Sequence, residues 1–260
     1  MSNMIPVETA SALILDTIQP LGEEDIRLGD AAGRVLATDV RSSVTLPPWD
    51  NAGMDGYAVL SSDLMQINAS LPVSGVIAAG ARSPIPLVPG TAARIMTGAP
   101  IPPGADTVIR VEDTDRGTDV VRFNDLRDLK KNIRLKGSEL RKDDIAVYSG
   151  TTIGPAQMGV LASVGASRLR VHKVPSVAVI ASGDELVDLD KFNEVEAGNA
   201  IVSSNSYSIR AAAAASGATV ADYGIVRDDI RALANRIHAA RTSDLIVTTG
   251  GVSVARPENR

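Results

Sequence analysis

The stretch from residue 174 to residue 250 constrains the fold more than any other. "SVAVIAS" is an unbroken apolar run of strand length, "NSYSIRAAAAASG" (205–217) reads as a helix capped by Asn205, and "TVADYGIV" is a second strand. "DDIRALANRIHAA" follows as a helix with Ile230, Leu233 and Ile237 on one face, and "DLIVTTGG" closes the series as a third strand. Strands joined through helices pair in parallel by right-handed crossovers, and such sheets bind ligands beyond the carboxyl ends of their strands.

Chemically capable residues lie at those ends. The first strand runs into Ser182, Gly183, Asp184 and Glu185, the second into Arg227, Asp228 and Asp229, and the third into Thr248, Thr249, Gly250, Gly251, Val252 and Ser253. Acidic groups from two strand ends would meet beside a glycine turn whose N–H groups and hydroxyls hold an oxyanion. A hard cation such as Mg²⁺ lets carboxylates and a phosphate share such a pocket. Each group also has a plainer reading: Asp228 and Asp229 as helix caps, Gly250 and Gly251 as a tight turn, Asp184 and Glu185 as solvated loop. Their convergence on three ends of one sheet favours a site. The sequence holds no G-x-G-x-x-G after a strand and no G-x-x-x-x-G-K-[ST], which disfavours a dinucleotide-dependent dehydrogenase and a P-loop NTPase.

The preceding region has another texture. Between about 44 and 142, short apolar stretches such as "GYAVL", "LPVSGVIAAG", "AARIMTG", "DTVIRVED" and "DVVRF" are separated by Pro, Gly, Asp and Asn, the pattern of a compact all-β module. Helical signals flank it. Ala10, Leu13, Ile14 and Ile18 recur at helical spacing, and "GPAQMGVLASVG" (154–165) opens with Pro155 and ends at Gly165. "RLGDAAGRVLATDV" (27–40) predicts a short helix ended near Gly33 and a strand from Val35. The β module therefore reads as an insertion into a helical framework.

Composition narrows the function classes. A net charge of -5 and the lack of any basic run argue against nucleic acid as partner. The longest apolar runs are too short to span a bilayer and the first residues lack a leader pattern, so a cytoplasmic protein with no membrane partner is expected. With no cysteine and only His172 and His238, thiolate chemistry is absent and imidazole triads are disfavoured.

Five ordered motifs carry a resemblance: "PPWDNAGMDGYAV" (47–59), "RIMTGAPIPPGADTVIRVED" (94–113), "NIRLKG" (132–137), "SGDEL" (182–186) and "TTGGVSV" (248–254). Over nearly the whole chain the sequence resembles the MoeA family, the molybdopterin molybdenumtransferases that include the E domain of gephyrin. The resemblance implies an α/β plus β fold in an elongated multidomain chain. Residues 1–43 and 143–173 would form a helical linker and dimerisation domain, 44–142 an inserted β-rich domain, and 174–260 a truncated three-layer, MogA-like α/β domain that binds molybdopterin. It further implies a homodimer in which adenylylated molybdopterin lies between the β module of one subunit and the α/β domain of the other. Molybdate is inserted into the dithiolene with Mg²⁺ present, AMP leaves, and a molybdopterin adenylyltransferase stands as a candidate partner.

By the same resemblance Asp55 of "MDGYA", Thr97 of "MTGAP", Glu185 of "GDEL" and Asp228 of "RDD" take catalytic positions, while Ser253 of "GGVS" and Asp228 lie by the metal. Asp50, Asn51, Glu139, Ser182, Gly183, Asp184, Gly250 and Gly251 fall at substrate-binding positions. Three departures stand out. Glu139 in "KGSEL" replaces a family aspartate, Ser203 replaces an aspartate before "SN", and "ARPENR" follows "GGVSV" where the family continues with a glycine and a metal-associated aspartate. The last leads to the expectation of a truncated member. The alternative is a catalytically inactive member that only dimerises or binds ligand.

Overall fold

A computed structural model describes residues 5–81 and 85–250. The chain forms two compact units, one built from the chain up to Thr38, Ser149–Met158 and the chain from Arg168 onward, the other from Asp39–Tyr148 and Gly159–Ser167.

The first unit contains a three-stranded parallel sheet with Ser176–Ser182 in the middle, Thr219–Val226 on one side and Leu245–Thr249 on the other. An unbroken apolar run is what a strand covered on both faces requires, and Val177–Ala181 is buried throughout. Ala178 and Ile180 pack with Val226 and Ala240, with Leu233 and Ile246 against them. The two crossover helices are Ser204–Ala215 and Ile230–Ala239. Asp229 caps the second, accepting from the Ala232 N–H at 2.7 Å.

Three local expectations are corrected. Ser203, not Asn205, occupies the cap position of the first crossover helix, where its hydroxyl lies buried 2.8 Å from that of Ser206. Asn205 lies one residue inside the helix. Of the face formed by Ile230, Leu233 and Ile237, Leu233 packs on the core while Ile230 stays 88% exposed, because it is the first helical residue and precedes the turn that contacts the sheet. The strand expected from Val35 is replaced by single bridges, Val35 to Thr152 and Leu36 to Val171, since consecutive residues pair with different segments and no ladder extends. The same unit carries the antiparallel pair Glu23–Arg27 with Arg168–His172, joined by Arg34, which donates to Glu24 and to the His172 carbonyl. The helix Val7–Thr17 forms as its periodicity predicts, yet none of its residues is buried.

The second unit is organised by a five-stranded sheet ordered Thr107–Arg110, Gly56–Val59, Ala92–Ile95, Ser70–Ile77, Val120–Arg122. Its neighbours run antiparallel except Ser70–Ile77 and Ala92–Ile95, which are parallel. Tyr57 and Val59 join Leu71, Ile109, Val121 and Phe123 in one cluster, while Ala58 joins Ala93, Ile95 and Val108 in another, as strand periodicity demands. Gly56 lies so close to the neighbouring strand that a Cβ there would fall 2.0 Å from the Ile109 carbonyl oxygen. That contact explains the glycine of "MDGYA".

A charged network ties the segment after Arg110 to this sheet. Arg110 binds Asp128 through two nitrogens at 2.8 and 3.1 Å and reaches Asp113 at 3.3 Å, and Arg127 pairs with Asp113. Both aspartates are buried, so each carboxylate relies on its arginine for the solvation lost from water. The Arg110 hydrogen bond, outweighing burial, holds the Asp128 carboxyl below the usual carboxylate range. A depressed folded-state value contributes stability above the unfolded-state value of about 4, lost as pH falls through the folded one. Asp128→Asn is therefore expected to cost about 2 kcal/mol at pH 7 and to flatten the loss of stability on acidification. Urea melts of both proteins from neutral to acid pH check both outcomes.

Candidate functional site

In the α/β unit, the carboxyl ends of the first two strands meet. Ser182 is buried, and its hydroxyl donates to Asp228 Oδ1 at 2.6 Å. The Asp228 N–H reaches Asp184 Oδ1 at 3.4 Å, a long contact. Gly183 donates its N–H to the Val226 carbonyl, and a Cβ there would come within 2.9 Å of Glu185 Oε2, so the Glu185 side chain folds back over it. Gly250 brings in the third strand. Its φ is +96°, and a Cβ at that position would lie 2.3 Å from the Ser182 carbonyl oxygen, which makes it a close-packing residue. Gly251 and Ser253 lie outside the described residues.

Beside these ends is a polar cavity of about 520 Å³. It is lined by four carboxylates, Asp184, Asp188, Asp190 and Glu194, and two cations, Lys191 and Arg227, with Leu186, Val187, Ile225 and Val226 as its apolar wall. Among the described residues no three carboxylates or imidazoles are grouped so as to hold a metal ion.

Sequence reasoning passed over Asp188. Its Oδ1 accepts from the Leu189 N–H at 2.7 Å and from the Tyr207 hydroxyl at 2.5 Å. The Tyr207 bond, then the Leu189 bond, holds the Asp188 carboxyl below its usual range, and the same contact pushes the Tyr207 phenol up. The Arg210 guanidinium stacks over the Tyr207 ring at 4.7 Å and pairs with Asp222 at 2.5 Å. An aspartate before "LDK" is visible as the cap of a short turn. Its partner lies on another element, which no local pattern reports.

In the β-rich unit, Asp55 and Thr97 are brought together: Asp55 Oδ1 accepts from both the Thr97 hydroxyl and the Thr97 N–H, each at 2.7 Å. The hydroxyl bond first, then the N–H bond, holds this exposed carboxyl below its usual range, and the charge of Arg94 adds to the effect. Arg94 itself lies over the Tyr57 ring at 5.1 Å. Asp50 Oδ1 accepts from the Lys136 N–H at 2.7 Å. Asn51 is buried, pairs through its backbone with Arg134, and donates its side-chain amide to the Trp49 carbonyl at 3.3 Å. Glu139 is exposed, and its backbone N–H donates to the Leu46 carbonyl.

A family model for the MoeA N-terminal region (domain I and II) matches residues 5–165, which include both halves of the Asp55–Thr97 pair. The chain belongs to the MoeA family. A second model, described as "Probable molybdopterin binding domain", matches residues 178–258 and so covers the strand ends and polar cavity of this MoeA-family chain. A molybdopterin molybdenumtransferase of Nostoc sp. is 37% identical over 236 residues, covering 89% of this chain and 53% of the relative. Another, of Haemophilus influenzae, is 33% identical over 258 residues, covering 98% and 63%. The crystal structure of the molybdopterin biosynthesis moeA protein from Pyrococcus horikoshii OT3 superposes with a TM-score of 0.83 at 28% identity, covering 96% of this chain and 68% of that one. The mixed α/β architecture is thus a MoeA fold, and the chain spans between 53% and 63% of the length of these two curated relatives.

Two outcomes follow from the site geometry. Thr97→Val removes the hydroxyl and keeps the N–H, so the Asp55 carboxyl should rise toward its ordinary value, measurable by carboxyl-carbon NMR titration. Gly250→Ala should cost about 1–3 kcal/mol of unfolding free energy. Gly29→Ala, where an added Cβ meets nothing within 4 Å, should stay within about 0.5 kcal/mol in the same melts.

Proposed function

We propose that the chain acts in molybdenum cofactor biosynthesis as a molybdopterin molybdenumtransferase, inserting molybdate into adenylylated molybdopterin with release of AMP. One observation carries this reading: the region matched by the molybdopterin-binding model includes the polar cavity at the carboxyl ends of a parallel sheet. In this reading residues 174–260 bind the pterin, 44–142 form the inserted β-rich domain, and 1–43 with 143–173 form the linker through which two cytoplasmic copies dimerise. A molybdopterin adenylyltransferase supplies the substrate.

The described residues would mainly position reactants. Ser182 fixes one oxygen of Asp228 and leaves the other for substrate. Glu185, folded over Gly183, brings a carboxylate to the same strand end. Asp55, oriented by Thr97, offers its second oxygen from the β-rich unit. Fixed dipoles and charges of this kind lower a barrier because they need no rearrangement as the transition state forms. Mg²⁺ belongs to the proposed reaction, and Asp228 would hold it together with the substrate phosphates, since Mg²⁺ needs only one or two carboxylates of the protein. None of the other roles passes through the ion.

A second reading is favoured by length, because the chain spans only 53% to 63% of two curated relatives that bear the transferase name. In it the chain dimerises or binds the pterin without turnover. Incubation of the purified chain with adenylylated molybdopterin, molybdate and Mg²⁺ separates the two. The transferase reading expects AMP release that Glu185→Ala lowers by about 100-fold or more. Binding of the adenylylated pterin with no AMP above background would sustain the second reading instead.

A further inference from the structure

The polar cavity lies where the proposed pterin ligand is expected, but its charge is wrong for the phosphate end of such a molecule. Four carboxylates face two cations, so a dianionic phosphate entering the cavity without a bridging cation would meet net repulsion. The ring end of a pterin has the opposite requirement. Its 2-amino-4-oxopyrimidine edge is neutral and presents adjacent N–H donors, which a free carboxylate oxygen can accept.

We infer that Asp188, positioned by Tyr207, reads the aminopyrimidine edge of the pterin, so that the ring system rather than the phosphate occupies this cavity. The inference rests on the molybdopterin-binding reading above.

Asp188 is singled out by its fixation. Oδ1 is held by the Leu189 N–H and the Tyr207 hydroxyl, and Oδ2 takes no hydrogen bond among the described residues. Asp184 makes only the long contact to the Asp228 N–H, and the side chains of Asp190 and Glu194 take no hydrogen bond among the described residues. A fixed acceptor loses less freedom on binding than a mobile one, which is what selectivity among similar rings requires. Tyr207 is braced in turn by the stacked Arg210, itself paired with Asp222 on the adjacent strand. Leu186 and Val187 add apolar surface for the faces of the ring. A ring with a carbonyl in place of the 2-amino group would set an acceptor against Oδ2 and leave the pair unmade, a loss of roughly tenfold or more in affinity.

The test uses the full chain and two fluorescent probes, 6-hydroxymethylpterin and 6-hydroxymethyllumazine, which differ at position 2. Wild type should bind the pterin about tenfold more tightly than the lumazine. Asp188→Asn should bring the two within about twofold, and Tyr207→Phe, which keeps the carboxylate but frees it, should leave a preference of a few-fold. Unchanged preference in both variants, with unfolding midpoints like that of wild type, overturns the assignment. Molybdopterin itself is titrated in parallel. If it binds while wild type shows no preference between the probes, the inference fails and the pterin-binding reading stands. If neither molybdopterin nor the pterin probe binds, the reading fails and the inference with it.

Discussion

The burial of Ser176–Ser182 on both faces and along both edges governs the α/β unit. A strand with Thr219–Val226 on one side and Leu245–Thr249 on the other has most of its backbone groups paired along both edges, apart from an irregularity between Val179 and Ala181. Its partners arrive in parallel through crossover helices, so all three strands end on the same side. Ser182, Asp228 and Gly250 are distant in sequence and adjacent in space for that reason alone. The polar cavity is a consequence of topology before it is a matter of individual side chains.

In the β-rich unit the hydrogen-bonding demand of loops plays the corresponding part. Short strands separated by Pro and Gly leave many N–H groups without ladder partners, and aspartates supply the acceptors. Asp106 takes the Ser61 N–H and hydroxyl, Asp115 takes the N–H groups of Gly117 and Arg122, and Asp50 takes that of Lys136. Asp55 does the same for Thr97. Asp106 spends both oxygens in this way, whereas Asp50, Asp55 and Asp115 hold their turns through Oδ1 alone. A structural role is thus visible for each of these aspartates, and the sequence motif alone does not separate it from a chemical one.

The α/β unit uses acidic residues with less neutralisation. At the strand ends, Asp184, Asp188, Asp190 and Glu194 share a cavity with only Lys191 and Arg227. Uncompensated negative charge favours ligand groups that donate hydrogen bonds over groups that bring more negative charge. The Tyr207–Arg210–Asp222 series connects one of these acids to a helix and a strand, which gives the site a rigid edge that the other acids lack.

Much of this architecture was legible in the sequence. The apolar run of 176–182, the alternation in "GYAV" and the spacing of "DDIRALANRIHAA" report burial directly, because burial imposes a period on the residues that undergo it. The motifs around Asp55, Thr97, Glu185 and Asp228, found through the family resemblance and not through any period, lie beside the ends of strands. Only the folded chain could decide which polar groups meet. Leu36 bridges Val171, Tyr207 closes on Asp188, Arg110 neutralises buried Asp128, and Gly250 packs on Ser182. Such contacts obey no local period, since a hydrogen bond or ion pair is satisfied by any partner that tertiary packing delivers within reach.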